Sequence, residues 1–307
     1  MRHIALWIVF GFVFSINARS QQTAVHELAP GVFFWQGDHV LRKPANCTWV
    51  VFKDYVLVID ANFPWGAREL LTEIKRTTNK PIRFVFNTHY HSDHTFGNGL
   101  FVDAGASIVC SKDCAAELRA TGQASWDKWR ETGEHSLVGF RLEYPAITFT
   151  DKMTFDDGDR RVELIKVGPA HTKGDAVAYL PKEKILATGD LCVNWTWGNF
   201  MGDPDADYNG WIRVLDELAG WDVRTVVPGH GSPGTTDTLR GERQYIADIL
   251  HQVQEGVRAG RTVDQLVSEI DLSKDGSFAS SSHAPGMSNA NAIRAIYRKV
   301  APARVTK

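Results

Sequence analysis

The sequence predicts an α/β protein made of two β-then-α halves, with their sheets packed together and their helices outside. Short runs rich in Val, Ile, Phe and Trp come in two series, over residues 32–59 and 147–187, with turn residues between them. Each series gives way to segments whose apolar residues recur at helical spacing. Strands then helices, twice over, is the order expected of such a layered sandwich. Histidines and aspartates recur where the expected strands end.

The 307 residues, 43% hydrophobic and 23% charged, suit a globular chain with a sizeable core. Net charge is -2, with 34 basic and 36 acidic residues and no long block of one sign. That balance argues against nucleic acid or an anionic membrane surface as partner.

At the N-terminus, Met1-Arg2-His3 is a short basic stretch, Ile4 to Ile16 is apolar, and Ala18-Arg19-Ser20 offers small residues at a cleavage position. This is the layout of a secretory signal over 1–20, leaving a single domain over 21–307. The apolar run falls short of the roughly 20 residues that span a bilayer, and no cysteine follows the cleavage position. No membrane anchor is therefore expected after cleavage, and the mature protein is expected to be periplasmic or secreted. Cys47, Cys110, Cys114 and Cys192 make an even number in an oxidising compartment, but spacing does not pair them. A Cys110–Cys114 bridge would sit awkwardly at a helix start, so at least some of the four are expected as free buried thiols.

Within the domain, Val32 to Trp35, Thr48 to Phe52 and Tyr55 to Ile59 read as strands, the last two joined by a tight Lys53-Asp54 turn. The polar loop Gln36 to Cys47 separates the first two. Pro64 and Trp65 open a helix bearing Leu70, Leu71 and Ile74, and Asn79-Lys80-Pro81 ends it. Phe84-Val85-Phe86 is a buried strand and Ala106 to Cys110 another, followed by a helix from Ser111 to Thr121 with Ser111 as its cap. Gln123 to Val138, with Trp126 and Trp129, is expected as a polar helical insertion over the surface. Short strands follow at Ile147–Phe149, Met153–Phe155, Arg161–Val167, Ala176–Leu180 and Lys184–Ala187, then a helix at Tyr208–Leu218 and a strand at Thr225–Val227. A helical C-terminal extension occupies about 236–307, with segments at Thr236–Ala259, Val263–Ile270 and Ser288–Val300.

The chemistry concentrates in His89-Tyr90-His91-Ser92-Asp93-His94, directly after the Phe84-Val85-Phe86 run. Residues two apart on extended backbone share a face, so His89 and His91 can grip one cation. Asp93 and His94 lie where the chain turns and can serve a second. Imidazole with carboxylate suits zinc at about 2.0–2.2 Å, although imidazole also accepts iron, copper or nickel. Three later positions stand at strand ends beside glycine: His171 in Gly168-Pro169-Ala170-His171-Thr172-Lys173-Gly174-Asp175, Asp190 in Thr188-Gly189-Asp190, and His230 in Pro228-Gly229-His230-Gly231. Singly, each has the look of an ordinary turn residue; together, in this order, they form a ligand set.

That set, H-x-H-x-D-H followed by a downstream His, then G-D, then P-G-H-G, resembles the metallo-β-lactamase superfamily from about Val32 to Gly231. The resemblance implies a four-layer αβ/βα sandwich with metals at the rim between two sheets. It also implies that His89, His91 and His171 hold one zinc and Asp93, His94 and His230 a second, with Asp190 bridging the two. Asp60 resembles the family's upstream acid that braces the ligand loop from behind.

Two zinc ions would supply a hydroxide nucleophile and an electrophile together, so no Ser/His/Asp triad is required. Asp93 would then orient the nucleophile and pass a proton to the leaving group. The expected activity is hydrolysis of a small carbonyl substrate: a β-lactam-like cyclic amide, a lactone or a thioester. The best-known lactamase group of this pattern has a cysteine where Asp190 stands and a lysine where Val193 stands. Asp190 instead resembles the bridging acid of glyoxalase-II-like thioesterases and of lactonases. Trp35, Trp195 and Trp197 are candidate pocket walls, and Arg42 and Lys43 candidate partners for a substrate carboxylate. Two alternatives stand beside hydrolysis: a mononuclear iron oxidoreductase resembling the superfamily's persulfide dioxygenases, and a periplasmic accessory protein of a quinoprotein system.

Overall fold

The computed structural model describes residues 25–38, 40–131, 137–194, 198–272 and 288–301. The expected leader, Trp195 and Trp197 lie outside the described residues.

The first half begins with four strands running antiparallel to their neighbours: β1 (Val25–Ala29), β2 (Val32–Trp35), β3 (Cys47–Val51) and β4 (Val56–Ile59). Helix α1 (Pro64–Thr77) carries the chain back so that β5 (Ile82–Phe86) pairs parallel with β4. The short helices α2 (Ser92–Thr95) and α3 (Asn98–Asp103) lead to β6 (Ser107–Ser111), and α4 (Lys112–Glu131) leads to β7 (Ile147–Phe149), both strands parallel to their predecessors. The seven strands lie in sequence order in one sheet.

The second half forms a five-stranded sheet in the order β12-β11-β10-β9-β8. Its strands β8 (Lys152–Asp156), β9 (Arg161–Lys166), β10 (Ala176–Leu180) and β11 (Ile185–Gly189) meander antiparallel. Helix α5 (Tyr208–Leu218) returns the chain so that β12 (Thr225–Pro228) pairs parallel with β11. Among the described residues, three more helices follow, α6 (Thr236–Arg258), α7 (Val263–Glu269) and α8 (Asn289–Val300).

Packing makes the four layers explicit. Val32, Phe34, Val50, Leu57, Ile59 and Phe86 of the first sheet meet Leu164, Ala176, Ala178, Leu180 and Ile185 of the second in one buried cluster. The opposite face of the first sheet, with Trp35, Trp49, Val58 and Val85, packs on Leu70 and Ile74 of α1 and Phe101 of α3. The outer face of the second sheet, with Val177, Leu186 and Val226, packs on Trp211, Leu215, Tyr245 and Ile249 of α5 and α6 and on Ile293 and Ile296 of α8. Each apolar face thus finds a layer to cover it. The carboxyl ends of β4, β5, β9, β11 and β12 share the rim between the sheets.

Three expectations are corrected. Trp35 is no pocket wall: side chains alternate along β2, so Val32 and Phe34 face the second sheet while Trp35, with no exposed surface, lies under the helices. The helix expected to stop at Thr121 continues through a buried Gly122 as one helix to Glu131. Its latter part is no polar surface insertion either, because Trp126 and Trp129, three apart and so on one face, pack with Phe63 and Phe96. All four cysteines are free and buried. Among the described residues, no helix is long and apolar enough to cross a membrane.

Under the second sheet, the helix layer buries a residue of charged type. Glu242, on the inner face of α6, is wholly buried, and burial pushes its carboxyl up to about 8 from the ordinary 4.5. Between those two values the folded chain holds a proton that the unfolded chain has released, so Glu242 erodes stability as pH rises through that window. Glutamine does not titrate. The melting temperature of Glu242→Gln relative to wild type is therefore expected to climb from about pH 5 to about pH 8 and then level off. A difference that stays flat in thermal melts across that range would contradict the buried, uncharged carboxyl.

Candidate metal centre

Strand β5 delivers the ligand loop, and a buried frame fixes its path. Asp60, at the end of β4, adopts a left-handed backbone conformation with φ of 62°, which costs a non-glycine residue free energy that tertiary contacts must offset. Its Oδ1 accepts from the Thr88 amide at 2.9 Å, and its Oδ2 accepts from the Thr88 hydroxyl at 2.9 Å and from His94 Nδ1 at 2.8 Å. Asn87 donates to the His94 carbonyl, and the Ala61 amide donates to the same oxygen. Asp60 therefore stands where the sequence placed it, bracing the loop and turning His94 Nε2 toward the rim.

The three later donors arrive from the second sheet. Asp175 accepts from both the amide and the hydroxyl of Thr172, which closes the loop carrying His171, and the His171 ring lies edge-on to Trp211 at 5.0 Å. Asp190 follows Gly189, whose φ of 54° suits glycine and which abuts Thr88 so closely that a Cβ would lie 2.4 Å from the hydroxyl oxygen. His230 donates from Nδ1 to the Pro44 carbonyl at 2.8 Å, and Asn46 braces its loop by donating to the carbonyls of Pro228 and Gly231.

The seven side chains converge as two sets. One comprises His89, His91, His171 and Asp190, the other Asp93, His94 and His230, with the donor atoms of each set within 4.8 Å of one another. Four donors around a tetrahedral ion at 2.0–2.1 Å would sit about 3.3 Å apart. His171 Nε2 and His91 Nδ1 are 3.2 Å apart, His94 Nε2 and His230 Nε2 each lie 3.2 Å from Asp190 Oδ1, and His230 Nε2 is 3.4 Å from Asp93. Asp190 Oδ2 is also 3.2 Å from His230 Nε2, and it lies 3.8 Å from His89 and 3.9 Å from His171 of the first set. The Nε2 atoms of His89 and His94 and the Oδ1 of Asp190 are buried without a hydrogen bond. Such atoms carry a desolvation cost that a cation between them would relieve, so the donor set fits metal.

The two sets differ electrically. Burial, reinforced by neighbouring histidines, holds His89 well below the usual imidazole range and brings His171 to about 4. Both therefore offer a free lone pair at neutral pH, as a metal ligand must. Burial also opposes charge on His94 and His230, but Asp190 above all overrides it and raises both. In return, the cationic faces of His230 and His94 hold Asp190 well below the carboxylate range despite its burial. His91 and Asp93 are the donors open to solvent, with side chains 17% and 18% exposed, and so border the approach to the centre.

Sequence reasoning missed Asp203. It lies between Gly202 and Pro204 in no recognisable motif, and only the fold brings it beneath the ligand loop. Its Oδ2 accepts from His91 Nε2 and its Oδ1 from the Tyr90 hydroxyl at 2.7 Å, which leaves His91 Nδ1 as the nitrogen turned to the centre. Phe200 closes on the same ring, edge-on at 5.8 Å. Lys43 is tied to Glu69 and so is not a free cation for substrate. A carboxylate behind a ligating imidazole fixes its tautomer and strengthens it as a donor. Asp203→Asn is therefore expected to weaken metal binding by about 10–100-fold in chelator competition, and wild-type affinity would remove Asp203 from the site.

Comparison with known proteins agrees with this architecture. Residues 40–230 match the family model of the metallo-beta-lactamase superfamily. The chain is 24% identical over 242 residues to a linear primary-alkylsulfatase of Pseudomonas sp., an alignment covering 67% of this chain and 46% of that one. It is 29% identical over 215 residues to a type 2 metallo-beta-lactamase of Bacteroides fragilis, covering 69% and 79%. The chain thus spans under half the length of the alkylsulfatase. A solved metallo-beta-lactamase from Pontibacter korlensis superposes with a TM-score of 0.59 at 25% identity, over 73% of this chain and 99% of that structure. Matched to that family model over residues 40–230, most of its length, this chain belongs to the metallo-beta-lactamase superfamily.

Proposed function

We propose that the chain is an exported dinuclear zinc hydrolase that acts on a small carbonyl substrate, a cyclic amide, lactone or thioester. One observation carries this reading: the Asp190 carboxylate lies between two donor sets, 3.2 Å from His94 and His230 and within 3.9 Å of His89 and His171, so it is in reach of ions held by either set. Zinc bound there supplies an activated water and a Lewis acid at neutral pH. The residues have separate tasks. His89, His91 and His171 form an imidazole set suited to a permanent ion. Asp93, partly open to solvent and 3.4 Å from His230, is placed to hold a proton next to the approaching substrate and release it to the leaving group. Export rests on the leader-like residues 1–20.

The second set, assembled as fully as the first, weighs against the mononuclear iron alternative, which has no use for it. A complete donor set likewise weighs against a purely accessory role. The alkylsulfatase similarity adds a further ester class, an alkyl sulfate, whose anionic oxygens the same Lewis acid would bind and polarise.

Purified protein is expected to carry two zinc ions by elemental analysis and to hydrolyse at least one of nitrocefin, a thioester, an acyl-homoserine lactone and an alkyl sulfate. Stoichiometric iron, or inertness toward all four with zinc loaded, would overturn the reading. Asp93→Asn is expected to lower kcat by about 100-fold or more, the range of a general acid–base group, while retaining most of the zinc. His89→Ala should lose zinc and activity together, and equal zinc loss in the two variants would deny Asp93 its separate task.

A further inference from the structure

We infer that the C-terminal helices, which lie beyond the family match, position the metal centre by gripping the connector from Leu191 to Asp207 at two points, Glu242 on α6 and Lys299 on α8. The inference rests on the reading that the donor sets hold zinc.

The first grip is the buried Glu242. It projects from a helix face otherwise filled by Leu239, Tyr245, Ile246 and Ile249, where an aliphatic side chain would pack without any desolvation cost. Its partners are not cations. Oε2 accepts from the Val193 amide at 3.3 Å, and Oε1 accepts from the Asn199 side-chain amide at 3.2 Å. Asn199, itself 2% exposed, donates from the same nitrogen to the Asp190 carbonyl at 2.9 Å. Two buried N–H groups on the connector would otherwise be stranded, and a stranded buried donor costs about 1–3 kcal/mol. The carboxyl therefore ties both ends of the segment 190–199 to α6, and through Asn199 it fixes the backbone of the shared ligand Asp190.

The second grip acts further along. Lys299 donates from Nζ to the Pro204 carbonyl at 3.0 Å and to the Ala206 carbonyl, and its charge lies 5.5 Å from the Tyr208 ring. The Tyr208 hydroxyl donates to the Met201 carbonyl at 2.6 Å. Together they pin the segment 201–206, whose Asp203 holds His91 in its ligating orientation. One grip thus ends on Asp190 and the other on His91. Both are positioning residues, since each reaches the centre through another group.

The test uses the full chain with zinc as the probe. Zinc affinity is measured at 25 °C by competition with a chromophoric chelator, and the geometry at the centre is read from the visible spectrum of the cobalt-substituted protein. Glu242→Leu is expected to weaken the less tightly held ion by about 10–100-fold, the usual effect of removing an outer support. Glu242→Gln, which keeps an acceptor for one of the two donors but turns an NH2 toward the other, is expected to fall between wild type and Glu242→Leu. Lys299→Ala should weaken zinc several-fold and shift the cobalt bands. A purely structural role would lower melting temperature while leaving affinity and spectrum alone, and that result overturns the inference. Should Glu242→Leu fail to fold, Lys299→Ala decides: wild-type affinity and spectrum in that variant also overturn it. A wild-type protein that binds no zinc ends the metal reading itself, whereas two zinc ions in wild type with unchanged variants end this inference alone.

Discussion

Everything at the rim is arranged around one buried carboxylate. Asp190 is 6% exposed, yet its charge is stabilised, because the Nε2 atoms of His94 and His230 lie 3.2 Å from its oxygens, with His89 and His171 farther off at 3.8 and 3.9 Å. An uncompensated buried charge costs several kcal/mol, so this group cannot be placed until its neighbours are in place. The demand propagates outward. Gly229 must be glycine in this packing, since a Cβ there would fall 1.9 Å from Asp190 Oδ1. Gly189 and Thr88 meet at a separation that likewise leaves no room for a side chain. The two sheets therefore contact each other through the site as well as through the apolar cluster between them.

The topology explains why donors so far apart in sequence can meet. Strands β4 and β5 run parallel, as do β11 and β12, and β9 shares their direction because two antiparallel steps separate it from β11. Five carboxyl ends consequently reach one rim, where backbone leaves the sheet and side chains turn freely. The regular interior supplies rigidity and the loops supply chemistry, the division expected when function sits on a fixed scaffold. Rigidity at the loops themselves comes from polar fastenings: Asp60 on Thr88 and His94, Asp175 on Thr172, and Asn46 on the His230 loop.

Much of this was legible in the sequence, for a definable reason. Period-2 and helical spacing are local signals, and they located the strands around Val32–Ile59 and Ile147–Ala187 and the helix Tyr208–Leu218. The seven donors were legible because histidine and aspartate beside glycine at strand ends form a pattern no packing requirement produces. What escaped notice depends on the third dimension. Trp35 reads equally well as core or pocket until the alternation along β2 is matched to the layer it faces. Gly122 looks like a helix stop, but the helix runs through it because Leu118 and Leu142 close over the position. Asp203 and Glu242 carry no motif; each acquires meaning only from the backbone that folds against it.

The carboxylate at position 190 also bears on what the centre can do. A thiolate there would serve one ion well, as a soft ligand with a single donor atom. A carboxylate offers two oxygens in fixed relation, and here the pair lies between the two imidazole sets. Were two cations held here, one anion between them would lower the net positive charge that each presents to substrate. Were both sets to hold an ion, the position of Asp190 would bear on both. Because Asp190 follows a glycine turn at the end of an internal strand, its placement depends on whatever holds the chain immediately after it. That chain runs over α5 and against α6 and α8, so the helices that cover the second sheet are mechanically part of the site they never enter.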